Sequence, residues 1–245
     1  MANLNTLDVF FSSQTFQEEE LRKKIVVVID VLRASSTIIT ALMNQAKGII
    51  PVEDMGEASR ISQSVDSDNL LLCGEKDGVK IEGYDLGNSP LEYSVERVKD
   101  KTLIFNTTNG TKAIKKAVGS SNLYVGSFLN LSTIVHTLNE EQKDIVLICA
   151  GWRGRMAIED LLFAGNVIYN LGNGSIPQEA RDGSKVAFGL YEKFKDNISD
   201  VIHSSNHAER LKEIAGESDI DFCAQRDICD ILPVLNDGII TNLYG

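Results

Sequence analysis

Ile25-Val26-Val27-Val28-Ile29-Asp30-Val31-Leu32-Arg33-Ala34-Ser35-Ser36-Thr37 reads as a buried strand running into a polar loop and then a helix. Five aliphatic residues in a row, with no polar alternation, suit a strand covered on both faces. Where the run ends the chain supplies a carboxylate, a guanidinium and three hydroxyls, and Ser36–Ala46 then reads as a helix. The same arrangement occurs twice more. Leu103–Phe105 leads into Asn106-Thr107-Thr108-Asn109-Gly110-Thr111, and Ile145–Ala150 leads into Gly151-Trp152-Arg153-Gly154-Arg155. A strand, a polar loop and a helix start form a ready anion site, because unpaired backbone N–H groups and the positive end of the helix dipole face the loop. Ser, Thr and Asn are also ordinary N-cap residues, so one such loop carries little. Three in one chain, two with arginines, point to a multiply charged ligand.

Working outward, strands and helices alternate. Gly48–Val52 is a short strand, with a helix from about Glu53, and Leu70–Cys73 is a third strand ending at Gly74-Glu75. Lys76–Pro90 is rich in turn signals, Asp77-Gly78 and Glu82-Gly83 among them, and reads as a hairpin or an excursion over the active face. Thr102–Phe105, Asn122–Val125 and Asp144–Ala150 are further strands, with helices near Thr111–Val118, Leu131–Leu138 and Ala157–Leu171. This order implies an α/β fold with a largely parallel or mixed sheet. In such sheets ligands bind outside the carboxyl ends of the strands, so the three loops are expected at one edge. After Gly172 the pattern changes: Ser184–Lys195 and Val201–Ala215 read as helices, Asp221–Ala224 as a strand, and Leu232–Leu243 as an edge hairpin about an Asp-Gly turn. The chain is read as one domain, 1–245, with a helical insertion at 173–219.

The 245 residues are 43% hydrophobic with a net charge of −11, which supports a packed core and argues against nucleic-acid binding, since that relies on Lys and Arg to neutralise phosphates. Against that acidic background Arg33, Arg153 and Arg155 are positive charge placed locally. Cys73, Cys149, Cys223 and Cys229 lack C-x-x-C spacing and read as reduced, mostly buried thiols. No signal segment and no membrane-length apolar run is visible, so a soluble, cytoplasmic protein is expected, with a homodimer as the commonest default.

Carboxylates accompany the loops: Asp30 ends the first strand, Glu75 the third, and Glu159 and Asp160 open the helix after Gly151. A carboxylate beside phosphate-cradling loops suits Mg²⁺, a hard cation that takes oxygen ligands and keeps several waters. Acidic residues are also favoured in a first helical turn on dipole grounds alone. His136, His203 and His207 read as solvated helix positions, because no third ligand accompanies the His203/His207 pair. Trp152 either shields the site or packs. There is no G-x-x-x-x-G-K-[ST] and no G-x-G-x-x-G, and Leu32 stands where a D-x-D phosphatase motif needs its second Asp. Nucleotide kinases and dehydrogenases are thereby disfavoured.

Val27 through Thr37, Gly74-Glu75, Gly87-Asn88-Ser89-Pro90, Asn106 through Thr111, Cys149-Ala150-Gly151 with Glu159-Asp160, Asp221-Phe222-Cys223-Ala224 and Pro233-Val234-Leu235 together resemble the 2-phosphosulfolactate phosphatase family, over about Val9 to Leu235. The resemblance implies a three-layer α/β/α fold and Mg²⁺-dependent hydrolysis of the phosphate monoester of a 2-hydroxy acid. The namesake reaction takes (2R)-2-phospho-3-sulfolactate to 3-sulfolactate and phosphate, a step of coenzyme M biosynthesis. Such a substrate carries a phosphate, a carboxylate and a sulfonate, which matches three cationic or N–H-rich loops. On this reading Arg33, Ser35, Ser36 and Thr37 take the phosphate, with Thr107, Thr108, Asn109 and Gly110 completing the cradle and Asn88 among the substrate-binding residues. Arg153 and Arg155 hold the carboxylate or sulfonate. Asp30, Glu75 and one of Glu159 or Asp160 hold Mg²⁺ or activate water, and Asp30, Arg33 and Glu75 are the catalytic candidates. The competing function is a non-catalytic small-anion binding protein, which would keep the arginines and have no need of the carboxylates.

Overall fold

The structure is a computed structural model that describes residues 6–63 and 69–244. Among them are ten strands: β1 (Leu7–Phe10), β2 (Ile25–Ile29), β3 (Gly48–Val52), β4 (Leu70–Lys76), β5 (Val79–Lys80), β6 (Thr102–Asn106), β7 (Asn122–Gly126), β8 (Ile145–Cys149), β9 (Pro233–Asn236) and β10 (Ile239–Asn242). The helices are α1 (Ala34–Met43), α2 (Met55–Ser62), α3 (Val95–Val98), α4 (Gly110–Lys116), α5 (Leu131–Glu140), α6 (Ile158–Leu171), α7 (Asp182–Phe194), α8 (Ile198–His203), α9 (Asn206–Ile214) and α10 (Ser218–Cys223). None is long and apolar enough to cross a membrane.

One mixed sheet runs β1-β8-β2-β7-β9-β10-β3-β6-β4-β5. β1, β8, β2 and β7 are mutually parallel, and so are β3, β6 and β4. The antiparallel β9–β10 hairpin joins the two groups, touching β7 at Tyr124–Val234 and β3 at Ile240–Ile49. Followed along the ladder, the second parallel group therefore runs opposite to the first. Neighbouring strands rotate by roughly 20–25°, so the five steps from β2 to β6 turn the second group through roughly 100–125°. The sheet curls, and the loops after β2 and β6 meet.

The fold is a three-layer α/β/α arrangement wrapped on itself. Ile25, Val27 and Ile29 of β2 face a core shared with α5, α6, α7 and α8. Val26 and Val28 face a second core, in which α1 and α4 fill the space between the two parallel groups. Both faces of β2 are thus covered, which is why its sequence shows no alternation. α2 closes the outer face of the second group over Val52 and Ile104.

Two expectations need correction, and one strand is additional. The Asp237-Gly238 turn forms a two-residue hairpin with both residues at positive φ, as such turns require, but the hairpin sits in the middle of the sheet and not at its edge. Ile240 is fully buried and Val234 nearly so, and an edge would leave them exposed. Asp221–Ala224 is not a strand: α10 ends at Cys223 and buries Asp219, Ile220 and Cys223 on one face, the spacing of a helix. β1 is an additional strand, whose short polar-flanked sequence hides it. It pairs with β8 and lies against α7 through Ser184, whose hydroxyl donates to the Leu7 carbonyl at 2.9 Å.

Candidate active site

The loops after β2, β4, β6 and β8 converge on one cleft, open to solvent. Asp30 and Arg33 line it from the first, Glu75 and Gly78 from the second, Thr108 and Asn109 from the third, and Trp152 and Arg153 from the fourth. Asn88 contributes from the long loop after β5, and His207, Arg210 and Leu211 from α9, which closes one side.

Much of the polar inventory holds these loops in place. The Ser35 hydroxyl accepts from the Asp30 N–H at 2.9 Å, and the Ser35 N–H donates to the Asp30 carbonyl at 2.8 Å. Ser36 donates to the Val31 carbonyl and Thr37 to the Asn88 carbonyl, each at 2.9 Å. All three hydroxyls are buried. Thr107 and Thr111 bind each other's backbone at 3.0 Å and form the start of α4, and Thr107 does not line the cleft. The Asp160 carboxylate accepts from Val31 N–H at 2.9 Å and Gly151 N–H at 3.1 Å, joining the loops after β2 and β8. Glu75 accepts from Gly78 N–H and Thr108 N–H, each at 2.6 Å, and from the Thr108 hydroxyl at 3.0 Å. Gly110 brings the start of α4 against β2: a Cβ there would lie 2.5 Å from Ala34 Cβ and 2.7 Å from Asp30 Oδ2.

Arg33 is buried and forms a 2.5 Å ion pair with Asp219 of α10, while its other terminal nitrogen donates to the Gly78 carbonyl at 2.9 Å. Asp219 also accepts from Ser89 at 2.6 Å. Two of the five guanidinium donors are thereby committed, and the residue forms part of the cleft wall. Arg153 lies over the Trp152 ring at 4.7 Å with its backbone at φ +51°. Arg155 points elsewhere and is exposed, outside the cleft. The Asn88 side-chain oxygen is buried without a hydrogen-bond partner.

The carboxylates crowd one another. Burial, reinforced by Glu75 and Glu159 and opposed by His207, pushes the Asp30 carboxyl up to about 6. Asp160 is held well above the usual carboxylate range by burial and by Glu159 and Asp30, against the two N–H bonds it accepts. Among the described residues no three His, Cys, Asp or Glu side chains converge on a metal-binding geometry. Glu75 and Asp160 have their oxygens committed to loop donors, and Glu159 binds His207. Asp30, which accepts from Ala34 N–H at 3.4 Å, lines the cleft beside Glu75 and Asp77.

His207 was expected on a solvated helix face and is instead nearly buried. Its Nδ1 lies 2.8 Å from Glu159 Oε1, and its ring stacks on Trp152 with centroids 5.3 Å apart. Trp152 therefore packs and shields at once. Nothing in the sequence pairs His207 with a residue 48 positions earlier, although the Ser205 N-cap that starts α9 is a readable signal. Arg210 was missed for the same reason. His203 pairs with Asp221 at 2.9 Å and His136 is exposed. The thiols take no part: burial raises Cys73 and Cys223 to about 12 and Cys149 well above its ordinary value.

A family model described as 2-phosphosulpholactate phosphatase matches residues 10–238. A relative from Caldanaerobacter subterraneus subsp. tengcongensis, named probable 2-phosphosulfolactate phosphatase, is 42% identical over 96% of this chain and 97% of its own. Relatives bearing the same name come from Thermotoga petrophila, 41% identical over 87% of this chain and 89% of its own, and Clostridium beijerinckii, 36% identical over 96% and 98%.

Proposed function

The chain belongs to the 2-phosphosulfolactate phosphatase family, and from that premise we propose that it hydrolyses the phosphate monoester of a 2-hydroxy acid with Mg²⁺. (2R)-2-phospho-3-sulfolactate, giving 3-sulfolactate and phosphate, is the substrate we favour. The observation that carries the reading is the cleft that Asp30, Glu75 and Asp77 line together with Arg33, Asn88, Asn109 and Arg153: carboxylates beside groups that recognise anions.

The residues fit Mg²⁺. Burial, with Glu75 and Glu159 nearby, holds the Asp30 pKa high, so a dication beside it would offset uncompensated negative charge. Mg²⁺ needs only one or two protein carboxylates, with waters and substrate phosphate completing its shell, and Asp30 would hold it. When bound, the ion neutralises phosphate oxygens and acidifies an attacking water.

The chain's own groups do the rest. The remaining donors of Arg33 and the amides of Asn88 and Asn109 bind phosphate oxygens. Arg33 stays oriented because Asp219 holds it from behind, which favours in-line geometry over mere attraction. Arg153, stacked on Trp152 and paired with no carboxylate among the described residues, takes the carboxylate or sulfonate at the far end. The hydroxyls of Ser35, Ser36, Thr37 and Thr107 act indirectly, by shaping the loops. α9 and Trp152 narrow the mouth and limit water.

Phosphate release from 2-phospholactate and 2-phosphosulfolactate, with and without Mg²⁺, tests this. We expect Mg²⁺-dependent release that Asp30→Asn abolishes while the variant stays folded. Release that survives in Asp30→Asn removes Asp30 from its role. No release from either ester, with the esters still bound, makes the cleft that of a small-anion binding protein.

A further inference from the structure

We infer that His207 is a further catalytic residue of this cleft, the proton donor to the departing ester oxygen, with Glu159 as its positioning residue. The inference rests on the phosphatase reading above and deepens it.

His207 is restrained as a surface histidine is not. Its side chain is 13% exposed. Glu159, 1% exposed, fixes it in the ring plane through Nδ1 at 2.8 Å. Trp152 fixes it from one face, the planes 20° apart. The Ser205 hydroxyl caps the helix that carries it, accepting from Ala208 N–H at 3.0 Å. A carboxylate only accepts, so the Glu159 bond keeps a proton on Nδ1 and leaves Nε2 to exchange its proton with the cleft. Nε2 has no protein partner among the described residues, and the ring forms part of the wall shared with Asp30 and Arg33. A carboxylate that orients an imidazole toward a substrate is a recurring device for moving a proton at a chosen atom.

The reaction needs such a donor, because an alkoxide of a 2-hydroxy acid is a poor leaving group. Water forms the new P–O bond, and the P–O bond to C2 breaks with its electron pair passing to the ester oxygen. His207 Nε2 gives that oxygen its proton, and the 2-hydroxy acid leaves. One proton of the attacking water stays on inorganic phosphate, and the other restores the imidazole. No further reactant is required. Trp152 and Arg153 then connect the two ends of the substrate: Arg153 binds the distal anion on the ring that also sets the His207 plane.

The test compares two esters of the same carbon skeleton, 2-phospholactate, which leaves as an alkoxide, and phosphoenolpyruvate, which leaves as a far more stable enolate. Wild-type turnover of 2-phospholactate or 2-phosphosulfolactate checks the phosphatase reading itself, and its absence with both esters removes that reading and this role together. With turnover present, we expect His207→Gln to lower kcat on 2-phospholactate by about 10²–10⁴-fold, with KM changed less than about threefold. The loss on phosphoenolpyruvate should be at least about tenfold smaller, because that leaving group needs little help. Glu159→Gln should show the same selectivity to a smaller degree, with wild-type melting behaviour as the check on folding. Equal losses on both esters, or a raised KM with kcat kept, overturn the inference. If the wild type refuses phosphoenolpyruvate, the division between kcat and KM on 2-phospholactate decides alone.

Discussion

Asp30 is where residue chemistry is most strained. Its carboxyl titrates at about 6 in the fold against an ordinary 3.8, so the unfolded chain sheds this proton first as pH rises. From about pH 4 to 6 Asp30 therefore subtracts progressively from stability, by about 3 kcal/mol once ionised in both states. Asp30→Asn should melt higher than the wild type at pH 7.5, with the gain shrinking toward zero as pH falls to about 4; thermal unfolding across that range checks it, and a gain that is flat with pH contradicts it. Such an exchange of stability for chemistry is common at active sites. Arg33 and Asp219 give the opposite case, a buried pair whose disruption strands a charge. Asp219→Ala should cost about 3–5 kcal/mol, read as a fall in the urea midpoint, and should weaken substrate binding because Arg33 loses its backing. The sequence singles out Arg33 through its position after β2. It gives no sign of Asp219, 186 residues away.

At the scale of elements, the site depends on close approaches. α4 comes against α1 through Gly110, where even a methyl group would meet Ala34 and the Asp30 carboxylate. Gly110→Ala should therefore cost about 1–3 kcal/mol by overpacking and lower kcat disproportionately, measured by urea unfolding beside steady-state kinetics. α9 is held on the cleft by Leu211 and Ala208, which enter the core, by His207 on Glu159 and Trp152, and by Ile214 against Gly78, whose added Cβ would lie 2.2 Å from Ile214 Cδ1 at φ +89°. Gly78→Ala should lift α9. Its amides should exchange faster with the sheet unchanged, and kcat/KM should fall; hydrogen exchange in residues 206–214 distinguishes this from general destabilisation.

Across the whole molecule, the two parallel groups of strands communicate through a hairpin whose ladder pairing with each neighbour is a single residue pair and through the core around α1 and α4. The cleft draws Asp30 from one group and Glu75 and Thr108 from the other, so its geometry depends on that joint. Ile240, fully buried in the shared core, is the joint's anchor. Ile240→Ala should cost about 2–5 kcal/mol, and activity should fall at denaturant concentrations where far-ultraviolet dichroism is still native. Coincident loss of both would mean that the joint is no weaker than the rest.

The sequence by itself determined the strands whose residues are continuously apolar, β2, β6 and β8, the loops that follow them, and the Asp-Gly hairpin turn. These depend on burial on both faces and on local turn geometry, both of which a short window of residues records. It also offered Asp30, Glu75 and one of Glu159 or Asp160 as candidates, because a carboxylate at a strand end or in a first helical turn is visible locally. Their surroundings were decided by the tertiary structure, which joins Glu75 and Asp160 to loop N–H groups, Glu159 to His207, and keeps Asp30 and Glu75 in the cleft wall. Only the curl of the sheet places the loops after β2 and β6 together, and only the packing of α9 and α10 brings His207 to Glu159 and Asp219 to Arg33. Those contacts span 48 to 186 residues. No local pattern encodes them, because they arise from accumulated strand twist and from which apolar faces a helical segment finds to cover.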